Sequence, residues 1–119
     1  WGPFWIAPVA WYLDWLAAIW PRLDRPALYI ATDDPGSLAA FAAYRPLTAA
    51  DLGLPPLPGA PFLDDFQALC MADILAISNS TFSFTASLLN RRATAFHRPD
   101  RTHGGLQPYD PWSSPVLLD

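Results

Sequence analysis

A chain of 119 residues suffices for one small domain whose core needs no disulfide or metal. Its residues are 52% hydrophobic, which excludes a wholly disordered chain, and only 15% charged, with a net charge of −4 carried by Asp and Arg alone. That balance argues against a dedicated nucleic-acid binder. The single cysteine, Cys70, excludes an internal disulfide framework and a multi-cysteine metal site. No apolar run reaches the roughly 18–20 residues that span a bilayer, and Pro21 ends the best candidate.

The chain begins at Trp1, inside a stretch that reads as folded protein, with no signal peptide visible. A piece of a longer protein is therefore expected. The one thiol and the missing signal point toward the cytoplasm.

From Pro8 to Leu23, Trp11, Tyr12, Trp15, Leu16, Ile19 and Leu23 recur at the spacing of one helix face. Pro8 suits a first helical turn and Pro21 limits the end. Core packing accounts for Trp11 and Trp15; a sugar-stacking role for Trp1, Phe4 or Trp5 is not singled out by spacing. Ala27 to Thr32 is a short apolar run bounded by Pro26 and Asp33-Asp34-Pro35-Gly36, the pattern of a buried strand. Asp34-Pro35 has the form of a helix start, with Leu38, Phe41 and Ala42 on the inner face. Arg45 to Thr48 is a weaker strand because of Pro46. Thr48 to Asp51 has the shape of a capping box, with Gly53 placed to stop it.

Leu54 to Pro61 holds four prolines and reads as a surface loop. Phe62, Phe66, Leu69 and Cys70 define another helix face. Ile74 to Ile77 reads as a buried strand, Ser78-Asn79-Ser80-Thr81 as a polar turn, Phe82 to Asn90 as a helix that Asn90 stops, and Ala93 to His97 as a last strand. From Arg98 on, Pro, Gly and Asp predict an irregular tail that wraps back through Trp112. The expected organisation is thus a domain over 1–97 and a tail over 98–119. The alternation of helix and strand predicts an α/β fold: a Rossmann-like parallel sheet with helices on both faces.

In such sheets ligands sit at the carboxyl ends of the strands. Two polar stretches fall there. Ser78-Asn79-Ser80-Thr81-Phe82-Ser83 ends a strand and opens a helix, which offers backbone N–H groups and hydroxyls to a phosphate without any Lys. Capping by Ser78 or Ser80 explains part of this motif, but three hydroxyls and an amide in succession exceed what one cap requires. In Thr32-Asp33-Asp34, Asp34 suits an N-cap. Asp33 is free to accept paired hydrogen bonds from guanine or a ribose diol or, less well, to ligate a metal. His97 and His103 are the only imidazoles. There is no Gly-x-Ser-x-Gly elbow and no glycine-rich phosphate loop.

Leu28 to Pro35 resembles the strand and turn of core α-1,6-fucosyltransferases. Ala76-Ile77-Ser78-Asn79-Ser80-Thr81-Phe82-Ser83-Phe84 resembles the Ile-Ser-Asn-Ser-Ser-Phe-Ser signature of α-1,2-fucosyltransferases. The similarity spans about Phe4 to Asn90. It implies the donor half of a GT-B glycosyltransferase that uses GDP-fucose, a nucleotide-sugar substrate, with no cofactor and no metal. By position, Asp33 or Asp34 would meet guanine. Ser80, Thr81 and the Phe82 N–H would meet the pyrophosphate, helped by Ser78 and Asn79. A glycan or other hydroxyl compound would be the acceptor. The families' His-x-Arg-Arg segment would lie before residue 1. Arg91-Arg92 follows its helix and does not replace it, Phe82 stands where the α-1,6 enzymes have Gln, and no acid/base residue is identifiable. The fragment alone is therefore expected to be inactive, with the catalytic residues unknown. A non-catalytic nucleotide-binding or interaction module, associating through the surface left by a missing half, is the alternative. A small α/β domain whose Ser and Asp residues are all caps is the third.

Overall fold

The computed structural model describes residues 5–32, 35–51 and 63–118. Helix α1 spans Val9–Ile19. Pro8 stands just outside it as the N-cap, in an extended conformation with φ −58° and ψ 139°, rather than within the first turn. Pro21 has no N–H to continue the α ladder, and the chain tightens into a 3₁₀ turn over Trp20–Arg22.

Residues 28–30 run beside Leu47. The Leu47 N–H donates to the Leu28 carbonyl at 2.8 Å and the Ile30 N–H donates to the Leu47 carbonyl at 2.9 Å. This parallel pairing is a single bridge between Tyr29 and Leu47, not a pair of strands in the main sheet. The strand expected over 27–32 and the weaker one over 45–48 shrink to this bridge: Pro46 lacks an N–H within its segment, and Pro26 lacks one just before the other. A 3₁₀ helix, Pro35–Tyr44, connects the two. After it, the Asp51 carboxylate accepts from the Thr48 N–H at 2.8 Å, and the Asp51 N–H donates to the Thr48 carbonyl at 3.1 Å. Half of the expected capping box forms: the Asp51 carboxylate reaches back to the Thr48 N–H, while the Thr48 hydroxyl donates to that carboxylate at 3.1 Å instead of accepting from the Asp51 N–H. Leu54 to Pro61 and Gly53 lie outside the described residues.

Helix α2 (Leu63–Met71), strand β1 (Ile74–Ala76), helix α3 (Thr81–Leu89), strand β2 (Ala95–Asp100) and strand β3 (Gly105–Pro108) follow. The sheet has the order β1-β2-β3. β1 pairs parallel with β2, Leu75 opposite Phe96. β3 pairs antiparallel with β2, Arg98 opposite Gln107. Two expectations change. The sheet is mixed rather than parallel, and the segment after Arg98 is not irregular: β2 crosses the boundary expected at 97/98 and turns into a hairpin.

The prolines that argued against a strand occupy positions that tolerate them. The Tyr109 N–H donates to the Phe96 carbonyl at 3.0 Å, so 96 and 109 form a hydrogen-bonded pair. Pro99 opposite Leu106 and Pro108 opposite His97 are then non-hydrogen-bonded pairs, whose nitrogens point away from the partner strand. β1 ends before the level of Pro99, so no ladder bond is lost there. Gly104, with φ 71°, closes the turn where a side chain would be strained.

Successive residues of β2 face opposite sides of the sheet. Phe96 joins the core of Leu75, Ile77 and Phe84, the last from α3, with Leu69 and Leu88 packed against it. His97 faces the other side, where the Trp15 ring of α1 lies 5.4 Å away. The Tyr12 hydroxyl of α1 donates to the Ile77 carbonyl at 2.9 Å, and burial pushes its pKa up to about 12. Helices therefore cover both faces of this small α/β domain. No helix among the described residues is long and apolar enough to cross a membrane.

Candidate functional site

β1 stops at Ala76, and the chain passes through Ile77 and Ser78 into α3. Ser80 caps that helix: its Oγ accepts from the Ser83 N–H at 3.2 Å. Ser83, 6% exposed, turns its hydroxyl back and donates to the Ser78 carbonyl at 3.0 Å. The Ser78, Ser80 and Ser83 hydroxyls form a triangle with sides of 3.0, 3.1 and 2.7 Å. The surplus hydroxyls of the motif thus bond to one another. Thr81 differs: it is exposed, and its hydroxyl has no hydrogen-bond partner among the described residues. The Phe82 ring, 39% exposed, stands edge-on to Phe66 of α2 at 5.4 Å.

Asn79 is used elsewhere. Its amide donates to the Leu118 carbonyl at 3.1 Å, and its oxygen accepts from the Leu118 N–H at 3.0 Å. Asp33 and Asp34 lie outside the described residues. Thr32, which precedes them, is described, with its Oγ1 3.4 Å from the Ser37 Oγ.

Thr32 and Thr48 lie at the carboxyl ends of the two bridged segments. A cleft of about 330 Å³ opens there, lined by Ile30, Thr32, Leu38, Thr48, Ala50 and Asp65 among others. This is the low end of the range for small-molecule sites, about 300–1,000 Å³. One wall is held by the Tyr29 hydroxyl, which donates to Asp65 at 2.6 Å. Burial and then the adjacent Asp65 charge raise the Tyr29 pKa, so the phenol stays a donor. Asp65 and Phe66 are consecutive on α2; the first reaches the cleft and the second touches Phe82. Helix α2 therefore connects the cleft to the N-terminal end of α3.

His97 does not face an open ligand edge. It packs on Trp15, and neither the His97 Nδ1 nor the Trp15 Nε1 has a partner among the described residues. Burial lowers the His97 pKa below its ordinary value of 6.5. The unfolded chain therefore binds the proton first. The His97 contribution is complete above about pH 6.5 and declines as pH falls, until the folded form also protonates. Thermal melts between about pH 7.5 and 5.5 should show the wild-type chain losing stability and His97→Gln losing less of it; equal losses would remove His97 from the account. His103 is exposed, 3.0 Å from Asp100. Among the described residues, no three His, Cys or Asp side chains gather where they could hold a metal.

Two buried polar residues do more than their sequence announces. Arg98, 2% exposed, lies against both the Phe84 and Tyr109 rings, 5.2 and 5.1 Å from their centroids, while those rings stack on each other at 5.9 Å. Asn90, fully buried, makes four hydrogen bonds where only a helix stop was expected. For Arg98 nothing in the proline-rich tail announced burial; Asn90 is followed directly by Arg91-Arg92, so its sequence context announced only the helix stop. Compared with protein-family models, with curated proteins and with solved structures, this chain matches none.

Proposed function

We propose that this chain is the donor-binding part of a fucosyltransferase-like glycosyltransferase, resembling the donor half of a GT-B enzyme and holding GDP-fucose or a related nucleotide sugar. The observation that carries this reading is the cleft at Thr32 and Thr48, joined through Asp65 and Phe66 to the α3 N-terminus. Asp33 and Asp34 follow Thr32 directly in sequence and supply carboxylates for a guanine edge. The exposed Ser78 and Thr81 hydroxyls, with the positive end of α3, supply the diphosphate site. Ser80 acts through the cap that orients that turn. In the transfer, an acceptor hydroxyl bonds to the sugar carbon and gives up its proton to a base or water as the bond to the diphosphate breaks. These groups stabilise the charge that gathers on the leaving diphosphate.

Calorimetry with GDP and UDP tests the reading. GDP should bind more tightly than UDP, and Thr81→Val should weaken GDP binding while leaving the melting temperature unchanged. Ser80→Ala should instead cost stability, about 1 kcal/mol, as a lost cap does. No heat at millimolar GDP, or equal affinities for the two nucleotides, would overturn the guanine assignment.

One observation favours a second reading. Ser78, Ser80 and Ser83 satisfy one another and Asn79 is held by Leu118, so most of the motif is accounted for without a ligand. A non-catalytic α/β interaction module predicts that Thr81→Val changes neither stability nor nucleotide binding.

A further inference from the structure

The segment after the hairpin returns across the molecule and is held by three side chains from distant parts of the chain. Arg98 donates through Nη1 to the Pro115 carbonyl at 2.6 Å and through Nη2 to the Val116 carbonyl at 2.8 Å. Asn79 bonds both the N–H and the C=O of Leu118, at 3.0 and 3.1 Å. The Trp5 indole N–H also donates to the Leu118 carbonyl, at 3.2 Å.

All of these bonds end on main-chain atoms. The Asn79 amide reproduces the paired bonds that one residue of an antiparallel strand offers its partner. The Arg98 guanidinium is a flat fork that spans two successive carbonyls. The side chains of the held segment contribute little: Pro115 is exposed and Val116 is 42% exposed. The site is not exhausted by its occupant, because the Arg98 Nε is buried with no acceptor among the described residues.

We propose that Arg98, Asn79 and Trp5 form a main-chain-reading site for an extended, uncharged peptide. Residues 115–118 occupy it within the chain, and the same segment of a second copy occupies it in trans. The peptide known to fit is this chain's own, and every copy carries it. A vacated site leaves the buried Arg98 cation without its carbonyl acceptors, which favours refilling over remaining open. Only a short link, Ser113-Ser114, separates the held residues from Trp112, which rests on Phe96 at 5.8 Å.

The test uses the full chain carrying Leu118→Pro, which lacks the N–H that Asn79 accepts, and a fluorescent peptide of residues 113–118. The peptide should bind this variant at least tenfold more tightly than it binds the wild type, where the resident segment competes. Adding Asn79→Ala should abolish that binding, and methylating the peptide's Leu118 nitrogen should do the same. Equal affinity for variant and wild type, or binding that survives Asn79→Ala, overturns the proposal. If Leu118→Pro does not fold, wild-type amide exchange decides: excess peptide should speed exchange at Leu118, and an unchanged rate overturns the site. At high concentration the wild-type chain should form a dimer on gel filtration that free peptide dissociates. A chain that stays monomeric, or a dimer indifferent to peptide, overturns the second copy as occupant.

Discussion

Replacing Asn90 with alanine should destabilise the domain by about 3–5 kcal/mol, a large share of the total stability of a small domain. The side chain is fully buried and uses both ends of its amide. Its nitrogen donates to the Leu69 carbonyl at 2.8 Å and the Ala72 carbonyl at 3.0 Å, which closes the end of α2. Its oxygen accepts from the Arg92 and Ala93 N–H groups, both at 2.8 Å, which sets the turn into β2. One residue therefore ties the end of α2, the end of α3 and the approach to β2. Truncation takes the amide from two carbonyls and two N–H groups, of which the Leu69 carbonyl keeps only the long bond from the Ala72 N–H at 3.4 Å, and the cost of that exceeds the net value of the bonds themselves. Asn90→Asp should be no better than alanine at neutral pH, because a carboxylate would face the Leu69 and Ala72 carbonyls. Urea denaturation of the three proteins checks this. A loss under about 1 kcal/mol for Asn90→Ala would show that water replaces the amide freely.

Arg98→Met should cost about 2 kcal/mol and, more distinctly, release residues 115–118. The methionine keeps much of the apolar volume against Phe84 and Tyr109 but supplies no donor to Pro115 and Val116. The loss is smaller than at Asn90 for two reasons. The abandoned carbonyls lie on an exposed segment that water reaches, and the native cation itself is strained by burial, which lowers the Arg98 pKa. Arg98→Lys should not rescue the segment, since one ammonium does not span two carbonyls as the fork does. Limited proteolysis should then cut the variants within residues 113–118 while the wild type resists. Equal resistance would place the hold on this segment in Asn79 and Trp5 alone.

The elements that a local pattern specifies were legible in the sequence. The three-and-four spacing from Trp11 to Ile19 became α1, and the run Ile74 to Ala76 became β1. The Ser80 cap and the Thr48–Asp51 turn follow from side chains that reach backbone three residues away. Pairing was less legible. Pro99 and Pro108 argued for an irregular tail, and whether a proline harms a strand depends on which way its nitrogen points in a register the sequence does not state. The segment at Tyr29 was apolar enough for a strand, yet the sheet does not extend to it.

The candidate site divides in the same way. The sequence by itself determined the chemistry available: Ser, Asn and Thr at a strand-to-helix turn, carboxylates after an apolar run, and no Lys anywhere. Only the tertiary structure decided how those groups are spent. It closed three serine hydroxyls on one another, left Thr81 exposed, and bonded Asn79 to a residue 39 positions away. It also buried Arg98, the cation a charge count would have placed in solvent. The physical reason is that a hydrogen bond is satisfied by whichever donor and acceptor the packed chain brings within reach. For capping residues those partners are neighbours in sequence; for Asn79, Asn90 and Arg98 they are set by how the helices and the returning chain pack around the sheet.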